Sequence, residues 1–454
     1  MAKDRNKIFE SMVDDMCSLA PGGDLLEDCM SLSAEAIRSV PLRCRIIALG
    51  FVKHFTLEEL NDKLLRQGCP KLYTRNFWEA TLAFAFLHGY SFEQWKEIQA
   101  RCSGIYASLE TSAWFRDKKI TYGELERYVL GNSEAQGDVL ATEMHTRYLE
   151  QALSATGGGE DELRAFLTGN IRSFSTMREK TRYYFCKYLY YYLNRRIERY
   201  FEACRKNRGV DEALSELLSL KVVTALRRSR RMPEEEKRGK IHESAISCGE
   251  IFDEFNYFYF GYVSADWVEI LMECYQSVDE IPDAQKKSLA AVFRKGHPEM
   301  KKRSDGEVIC AKMAELEASE DDAYALDGSR GYGKNRAGEH ALYKYIQGTL
   351  DIDRTVLICF LLFFASDAQM PDEHRLTVAR MQAILSGCGY SALDVENDFD
   401  WFVVEFLESR HPKAFLTDVM LDYARQNENS FLYHLYGNSV KYEDELLRVM
   451  VAKR

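Results

Sequence analysis

The stretch RTVLICFLLFFASDAQMP, residues 354–371, is the most apolar part of the chain. The residues from Val356 to Ala365 carry no charge, and charged residues bound them at Arg354 and Asp367. A membrane-spanning helix needs about 20 consecutive apolar residues. A shorter run that is apolar nearly all round is typical of a helix buried in a protein core. The stretch therefore predicts a central core helix rather than a membrane anchor.

The composition of the chain is that of an ordinary globular protein. Its 454 residues are 46% hydrophobic and 29% charged, which predicts two or three domains with a sizeable core. The net charge of -11 is opposite in sign to that of a protein that coats nucleic acid. Twelve scattered cysteines favour a reducing compartment, and the N-terminus lacks the apolar segment of a secretory signal. We therefore expect a cytoplasmic protein without a membrane partner.

The distribution of proline and apolar residues predicts an all-α fold. None of the eight prolines lies between Pro70 and Pro233, and that interval is rich in residues that favour helices. Apolar residues recur at three- and four-residue spacing in ELLSLKVVTAL (216–226) and ADWVEILMECY (265–275). Alternation with a period of two, which would indicate β-strands, is rare in the chain.

Glycine, proline and charged residues mark candidate domain boundaries. The polar segment ASEDDAYALDGSRGYGKNRAGE, residues 318–339, is the best candidate for a linker between domains. We predict an N-terminal helical module over 1–110, a central helical region over 111–326, a linker over 327–340 and a C-terminal helical module over 341–454.

The two outer modules share a pattern that predicts two similar three-helix units. The matched positions, first copy before second, are Arg43 and Arg354, Gly68 and Gly389, Leu72 and Leu393, and Asn76 and Asn397. In each unit the arginine would begin a buried helix, the glycine would end the second helix in the left-handed conformation, and the asparagine would cap the third. Thr56 with Glu59 would form a capping box before the second helix. Generic helix punctuation without duplication is the alternative.

The N-terminal unit also carries a motif that reads LGF, LEELN, LL, a glycine and LYxR. Its residues are Leu49, Gly50, Phe51, Leu57, Glu58, Glu59, Leu60, Asn61, Leu64, Leu65, Gly68, Leu72, Tyr73 and Arg75. Within residues 43–98 the motif resembles the helical region C-terminal to the DNA-binding module in clostridial Xre-type helix-turn-helix regulators. The resemblance implies a bacterial regulatory or mobile-element setting. It carries over no DNA-reading residue, because the preceding residues do not read as a DNA-binding headpiece.

A basic, tyrosine-rich segment is the strongest candidate for a binding function. Residues 171–240 contain 19 Lys and Arg against 9 Asp and Glu, a net charge of +10, which leaves -21 for the rest of the chain. Such segregation of charge can attract a polyanion, and interleaved aromatic rings can stack on bases. The candidate nucleic-acid-binding residues are Arg172, Arg178, Arg182, Lys187, Arg195, Arg196, Arg199, Arg205, Lys206, Arg208, Arg227, Arg228, Arg230 and Arg231.

Internal pairing is the alternative interpretation of the same segment. A long amphipathic helix would bury its tyrosine rings and pair its arginines with acidic neighbours. We therefore expect a non-enzymatic bacterial regulatory or adaptor protein, of a mobile element or defence locus, that contacts DNA or RNA through a central basic surface. A protein-interaction scaffold whose basic face is satisfied internally is the alternative. A helical nuclease-like enzyme is a weaker one.

No other motif in the sequence predicts a chemistry. GSRGYGK, residues 328–334, has the spacing of a phosphate-binding P-loop, but Asn335 replaces the required Ser or Thr and no strand precedes it. RGKIH (238–242) and RAGEH (336–340) are similar to Arg-His pairs of helical ribonucleases. Both are one residue short of the usual spacing and are predicted to lie in glycine-containing loops. No His or Cys spacing predicts a metal site, and we expect neither a cofactor nor catalytic residues.

Overall fold

The computed structural model describes most of the chain between residues 42 and 409. The described ranges are 42–66, 69–109, 120–132, 139–228, 232–260, 302–311, 336–366, 374–396 and 398–409, with scattered positions between 283 and 300 and at 412 and 415. Gly68, Asn397, Arg230, Arg231 and the P-loop-like segment 328–334 lie outside the described residues.

Helices make up the regular structure of these ranges. In chain order they are α1 (Leu42–Lys53), α2 (Leu57–Arg66), α3 (Phe77–Leu87), α4 (Phe92–Ala107), α5 (Tyr122–Gly131), α6 (Val139–Ser154), α7 (Glu160–Gly169), α8 (Ile171–Lys206), α9 (Val210–Ser215), a 3-10 helix (Glu216–Ser219), α10 (Val223–Arg228), α11 (Glu234–His242), α12 (Cys248–Phe260), α13 (Arg336–Gln347), α14 (Arg354–Ala365), α15 (Val378–Gly387) and α16 (Asp398–Glu408). Within the described part of the chain there is no β-strand, and two isolated bridges are the only β-type pairing. The predicted all-α fold is confirmed.

The apolar stretch 354–371 contains helix α14. Across the ranges given above, every helix is too short or too polar to cross a bilayer. In α14 the side chains from Val356 to Phe364 are all buried inside the protein. The predicted core helix is therefore observed, and it covers 12 residues.

Local capping rules explain how the N-terminal triplet, α1–α3, is delimited. The backbone N–H of Thr56 donates to Glu59 Oε2 (2.8 Å), and the Glu59 N–H donates to Thr56 Oγ1 (3.2 Å). Asn76 Oδ1 accepts from the N–H groups of Trp78 and Glu79 at 3.0 and 3.1 Å. The predicted capping box and the predicted cap of the third helix are both confirmed in this triplet.

The C-terminal triplet, α14–α16, is delimited in a similar way. Asp353 Oδ1 accepts from Val356 N–H (2.7 Å) at the start of α14, and the Thr377 side chain accepts from Arg380 N–H at the start of α15. Gly389, just after α15, has a φ of +79°, which is the left-handed conformation predicted for this position.

Buried apolar side chains form two cores. One is built by α1–α4 with α6, α7 and the start of α8, and it includes Leu149, Leu163 and Phe174. The other extends from Ile120 through the middle of α8 to Phe406. Helix α8, 36 residues long, contributes its first turns to one core and the rest of its buried face to the other. Because α8 contributes side chains to both cores, the basic helix connects the core of the N-terminal triplet with that of the C-terminal triplet.

The predicted linker is only partly described. Residues 336–340, which the sequence places at its end, form the first turns of α13. Residues 327–335 lie outside the described ranges. The domain boundaries otherwise remain predictions.

Candidate functional site

The candidate nucleic-acid-binding residues divide into an engaged set and an exposed set. Ten of them lie on α8 or in the two residues that follow it, and Arg227 with Arg228 ends α10. Along the central part of α8 these cations face carboxylates, carbonyl oxygens and aromatic rings. Towards both ends of the helix they face solvent. The two sets therefore have different chemical roles.

Arg178 belongs to the engaged set. Its Nε lies 2.6 Å from Asp351 Oδ1, and both side chains are only 8% exposed. Its guanidinium also lies over the ring of Tyr106, 5.3 Å from the centroid. Burial raises the pKa of Asp351, and the attraction of Arg178 opposes that shift. This ion pair joins α8 to the segment directly before α14, so Arg178 is not available to a phosphate.

Arg182, one turn further on, is 1% exposed. Its Nε donates to the carbonyl oxygen of Ile346 (2.8 Å) at the end of α13. Its guanidinium lies 5.0 Å from the ring centroid of Tyr128. A side chain enclosed in this way can fasten helices but cannot contact nucleic acid.

The second half of α8 repeats the pattern. Arg196 pairs with Glu254 at 2.7 Å and lies 4.0 Å from the ring centroid of Tyr192. Arg199 pairs with Glu216 at 2.9 Å. These contacts link α8 to α12 and to the 3-10 helix.

Two further candidates on α8 are partly enclosed. Lys187 lies over the rings of Tyr183 and Tyr191. Desolvation, aided by repulsion from Arg380, lowers the pKa of Lys187. Arg195 is half-buried and is engaged with a neighbouring group. Neither residue belongs to the fully exposed set.

The exposed set consists of Arg172, Arg205, Lys206, Arg208, Arg227 and Arg228. Lys206 pairs with Glu202 one turn earlier, at 2.6 Å, in a solvent-exposed ion pair that adds little stability. The others form no ion pair within 4 Å with the residues that the structure describes. Because α9 packs against both α8 and α10, the cations at 205–208 and 227–228 lie on neighbouring elements.

A cavity of about 510 Å³ lies where the two triplets meet. Its wall includes Arg43, Tyr73 and Glu79 from the N-terminal side, and Asp353, Tyr390 and Asp400 from the C-terminal side. Its size is in the range of small-molecule sites. Sequence reasoning did not predict this cavity.

The first wall of the cavity contains a buried arginine clamp. Arg43 Nη1 and Nη2 donate to Glu79 Oε1 and Oε2 at 2.9 and 2.8 Å. Its Nε and Nη2 also donate to the carbonyl oxygens of Pro70 and Lys71 at 3.1 and 3.2 Å. Glu79 Oε2 in turn accepts from the N–H of Tyr73 (2.7 Å). The arginine thus ties α1, α3 and the loop between α2 and α3 together.

The opposite wall contains the same arrangement. Arg354 Nη1 and Nη2 donate to Asp400 Oδ1 and Oδ2 at 2.8 and 2.7 Å. Its Nε and Nη2 donate to the carbonyls of Ser391 and Ala392, each at 3.1 Å. Asp400 Oδ2 accepts from the N–H of Asp394 (3.0 Å). Arg43 and Arg354, which the sequence pairs, therefore occupy equivalent positions in equivalent contact networks.

The two triplets touch directly beside the cavity. The hydroxyl of Tyr73 donates to the carbonyl oxygen of Gly389, which also accepts from Thr146 Oγ1 (3.1 Å). The rings of Tyr73 and Tyr390 are 4.9 Å apart between centroids. Residues from both triplets and from α6 thus close one side of the cavity.

Sequence reasoning missed Glu79, Asp353 and Asp400. A signal for two of them was present, because an acidic residue stands three positions after Asn76 and after Asn397. Asp353 stands directly before Arg354 at the edge of the apolar run, and no spacing rule points to it as a site residue. It caps α14 and lines the cavity.

The Arg-His motif RGKIH lies within α11, not in a glycine-containing loop as the sequence predicted. Arg238 is held by Glu198 (2.7 Å) and Glu234 (2.9 Å), and His242 Nε2 lies 2.6 Å from Glu126. A guanidinium held by two carboxylates is poorly placed to bind a phosphate. The motif RAGEH opens α13. Among the described residues no three His, Cys, Asp or Glu side chains converge as metal ligands would.

Comparisons with known proteins return no relative. No protein-family model matches the chain. No curated protein matches it, and no solved structure does. The function is therefore argued from the geometry of this chain.

Proposed function

We propose that the protein is a non-enzymatic scaffold or adaptor in which the arginines of the basic central helix fasten it to helices of the C-terminal half. The observation that carries the proposal is the internal engagement of Arg178, Arg182 and Arg196, whose partners lie on α13, α12 and the segment before α14. Removing one partner of a buried ion pair, such as Arg178 with Asp351, is strongly destabilising. We infer that these arginines hold the assembly together.

The two arginine clamps support the view that the outer units are copies of one three-helix module. Arg43 and Arg354 each bind a carboxylate on the third helix and two loop carbonyls. Repeated helical units pack side by side and present extended surfaces to protein partners. A bacterial regulatory setting, in a mobile element or defence locus, is supported only by the resemblance of residues 43–98 to Xre-type regulators. A cytoplasmic location is supported only by the scattered cysteines.

Nucleic-acid contact is the second candidate function. It would use the exposed cations rather than the whole basic helix, and the four that lie on neighbouring elements are Arg205, Arg208, Arg227 and Arg228. Their exposure and their lack of a close described carboxylate favour it. Asp211 and Glu212, which are exposed on the intervening α9, oppose it.

A mobility-shift assay separates the two functions. Double-stranded DNA, single-stranded DNA and RNA are titrated with the protein at about 50 and 200 mM salt, because phosphate contacts weaken steeply over that interval. The scaffold proposal expects no shift with any polymer at the lower salt concentration.

A charge-matched pair of variants makes the assay specific. One carries Ala at Arg205, Arg208, Arg227 and Arg228. The control carries Ala at Arg66, Arg101, Arg127 and Arg164, which are exposed on other helices. A shift by the wild-type protein that only the first variant loses would overturn the scaffold proposal in favour of nucleic-acid contact. A shift that both variants lose equally would mark nonspecific charge attraction.

A further inference from the structure

The charges that line the cavity at the junction of the triplets are not balanced. Six of the charged residues in its wall form three ion pairs with N···O distances of 2.7–3.1 Å. The pairs are Arg43 with Glu79, Arg354 with Asp400, and Lys71 with Glu150. Three charged groups remain, and they are Arg147, Asp353 and Asp394. Arg147 and Asp394 are exposed, so water screens them.

Asp353 is the remaining charged group, and its side chain is half-buried. Its carboxylate accepts the N–H of Val356 at 2.7 Å and also accepts from the backbone of Thr355. Among the described residues it has no cationic partner within 4 Å. Two backbone donors leave lone pairs on the carboxylate unused. An enclosed carboxylate on the wall of a cavity attracts a cation more strongly than one in water.

Two tyrosine rings line the same cavity. The hydroxyls of Tyr73 and Tyr390 donate to the backbone carbonyls of Gly389 and Ile352. Burial raises the pKa of both phenols, so both stay neutral. With both hydroxyls engaged, the half-buried ring of Tyr73, which packs on the buried ring of Tyr390, is the aromatic group at this wall. Aromatic faces attract organic cations.

We propose that this cavity binds a small organic cation, an amine or a guanidinium compound, with Asp353 as its counter-ion. The ligand would lie between the triplets, because Asp353 belongs to the C-terminal side and Tyr73 to the N-terminal side. Mg²⁺ and Ca²⁺ fit less well, since they need several free oxygen ligands. Glu79 and Asp400 each give both carboxylate oxygens to an arginine.

Isothermal titration calorimetry with three cationic probes tests the proposal. The probes are 2-phenylethylamine, spermidine and agmatine, and 2-phenylethanol and phenylacetate are the neutral and anionic matches to the first. We expect at least one cation to bind the full-length protein with a stoichiometry of one. The neutral and anionic matches should bind more weakly than 2-phenylethylamine or not at all.

Asp353→Asn is the decisive variant, because asparagine caps a helix as well as aspartate does and removes only the charge. Loss of a charged hydrogen bond predicts binding about tenfold to a hundredfold weaker. Glu396→Gln removes an exposed carboxylate from the same region outside the cavity wall and should leave the affinity unchanged.

A second variant covers the case in which Asp353→Asn fails to fold. Ala392→Trp places a large ring at an exposed position of the cavity wall and should abolish binding while the circular dichroism spectrum stays that of the wild type. The proposal is overturned if no cationic probe binds, or if the affinity is the same in the wild type and in both cavity variants.

Discussion

Asp353 combines two roles that pull its protonation in opposite directions. As the cap of α14 it accepts backbone N–H groups, which favour the carboxylate. Its burial penalises the same charge and is the larger influence, so that its pKa rises from 3.8 to about 6. Arg43 lowers the pKa and Glu79 raises it, both from across the junction. The residue is therefore sensitive to the packing of the two triplets.

This raised pKa predicts a dependence of stability on pH. Between about pH 4 and pH 6 the folded protein keeps a proton on Asp353 that the unfolded chain releases, so its contribution to stability falls as pH rises through that window. Asp353→Asn removes this contribution. In urea unfolding at pH 4, 5, 6 and 7, the free energy of unfolding of the variant minus that of the wild type should grow up to about pH 6 and then level off.

The exposed Glu396→Gln substitution is the control for loss of a carboxylate. Curves of stability against pH that run parallel in the wild type and in Asp353→Asn would contradict the prediction, because Asp353 would then titrate alike in both states of the chain.

Residue-level features were predictable where the cause is local. The cap at Asn76 and the box of Thr56 with Glu59 depend on groups within three residues, and both were read from the sequence. The partner of Arg43 is 36 residues away and that of Arg354 is 46 residues away. An acidic residue does follow each asparagine by three positions, but no local rule pairs it with an arginine that far away, so the sequence predicted only the matched arginines.

Helix α14 is the element on which the second core is built. Phe360 stacks on Phe255 of α12 with centroids 4.3 Å apart and meets Phe185 of α8 at 5.2 Å. Phe364 packs on Tyr192 of α8 at 5.4 Å. A helix that is apolar on every side can satisfy its surface only when other helices surround it, and α8 and α12 do so.

A charge placed in α14 should prevent folding. Leu362 is 1% exposed, and Leu362→Asp would bury an unpaired carboxylate at a cost above about 4 kcal/mol. Leu218→Asp makes the same change at a side chain that is 51% exposed and should cost less than about 0.5 kcal/mol. Soluble yield and urea unfolding measure both.

Leu362→Ala gives a graded version of this test, with an expected loss of about 2–5 kcal/mol. A Leu362→Asp protein that is soluble and unfolds with the stability of the Leu218→Asp protein would show that α14 is not core.

The α11 helix illustrates what element-level prediction missed. The glycine in RGKIH indicated a loop, yet the segment lies in α11. Three glutamates stand in the first turn, and Lys240 with His242 in the last. Acidic residues at the start and basic residues at the end of a helix interact favourably with the helix dipole. This interaction offsets the loss of helix stability caused by one glycine, about 1 kcal/mol. In longer apolar runs, such as the one that forms α14, no glycine or proline signal contradicted the prediction of a helix.

At the scale of the whole molecule, α8 joins the two cores. Its 36 residues span about 54 Å, with Phe174 in one core and Phe185 in the other. The direct contact of Tyr73 with Gly389 adds a second connection. The boundary predicted at residue 110 rests on local composition. Core membership depends on packing between residues far apart, which composition does not encode.

Two glycine substitutions measure the contact between the triplets. Gly389 and Gly89 both have positive φ, +79° and +68°, so alanine costs about 1 kcal/mol at either. A Cβ at Gly389 would also overlap the guanidinium of Arg75 and lie 2.8 Å from the Tyr73 hydroxyl, whereas a Cβ at Gly89 meets nothing within 4 Å. Gly389→Ala should therefore lose about 1–3 kcal/mol more in urea unfolding. Equal losses in the two variants would mean that the contact contributes no stability.

The sharing of α8 also has a consequence during synthesis. The described side chains of the N-terminal core have all been synthesised once Phe174 has left the ribosome, but α14 and Phe406 follow about 200 residues later. At roughly 5–20 residues per second, that interval lasts about 10–40 s. During this time α14 is not yet available to pack against the α8 rings of Phe185 and Tyr192. The nascent chain would thus expose an apolar aromatic surface long enough for chaperones to bind it.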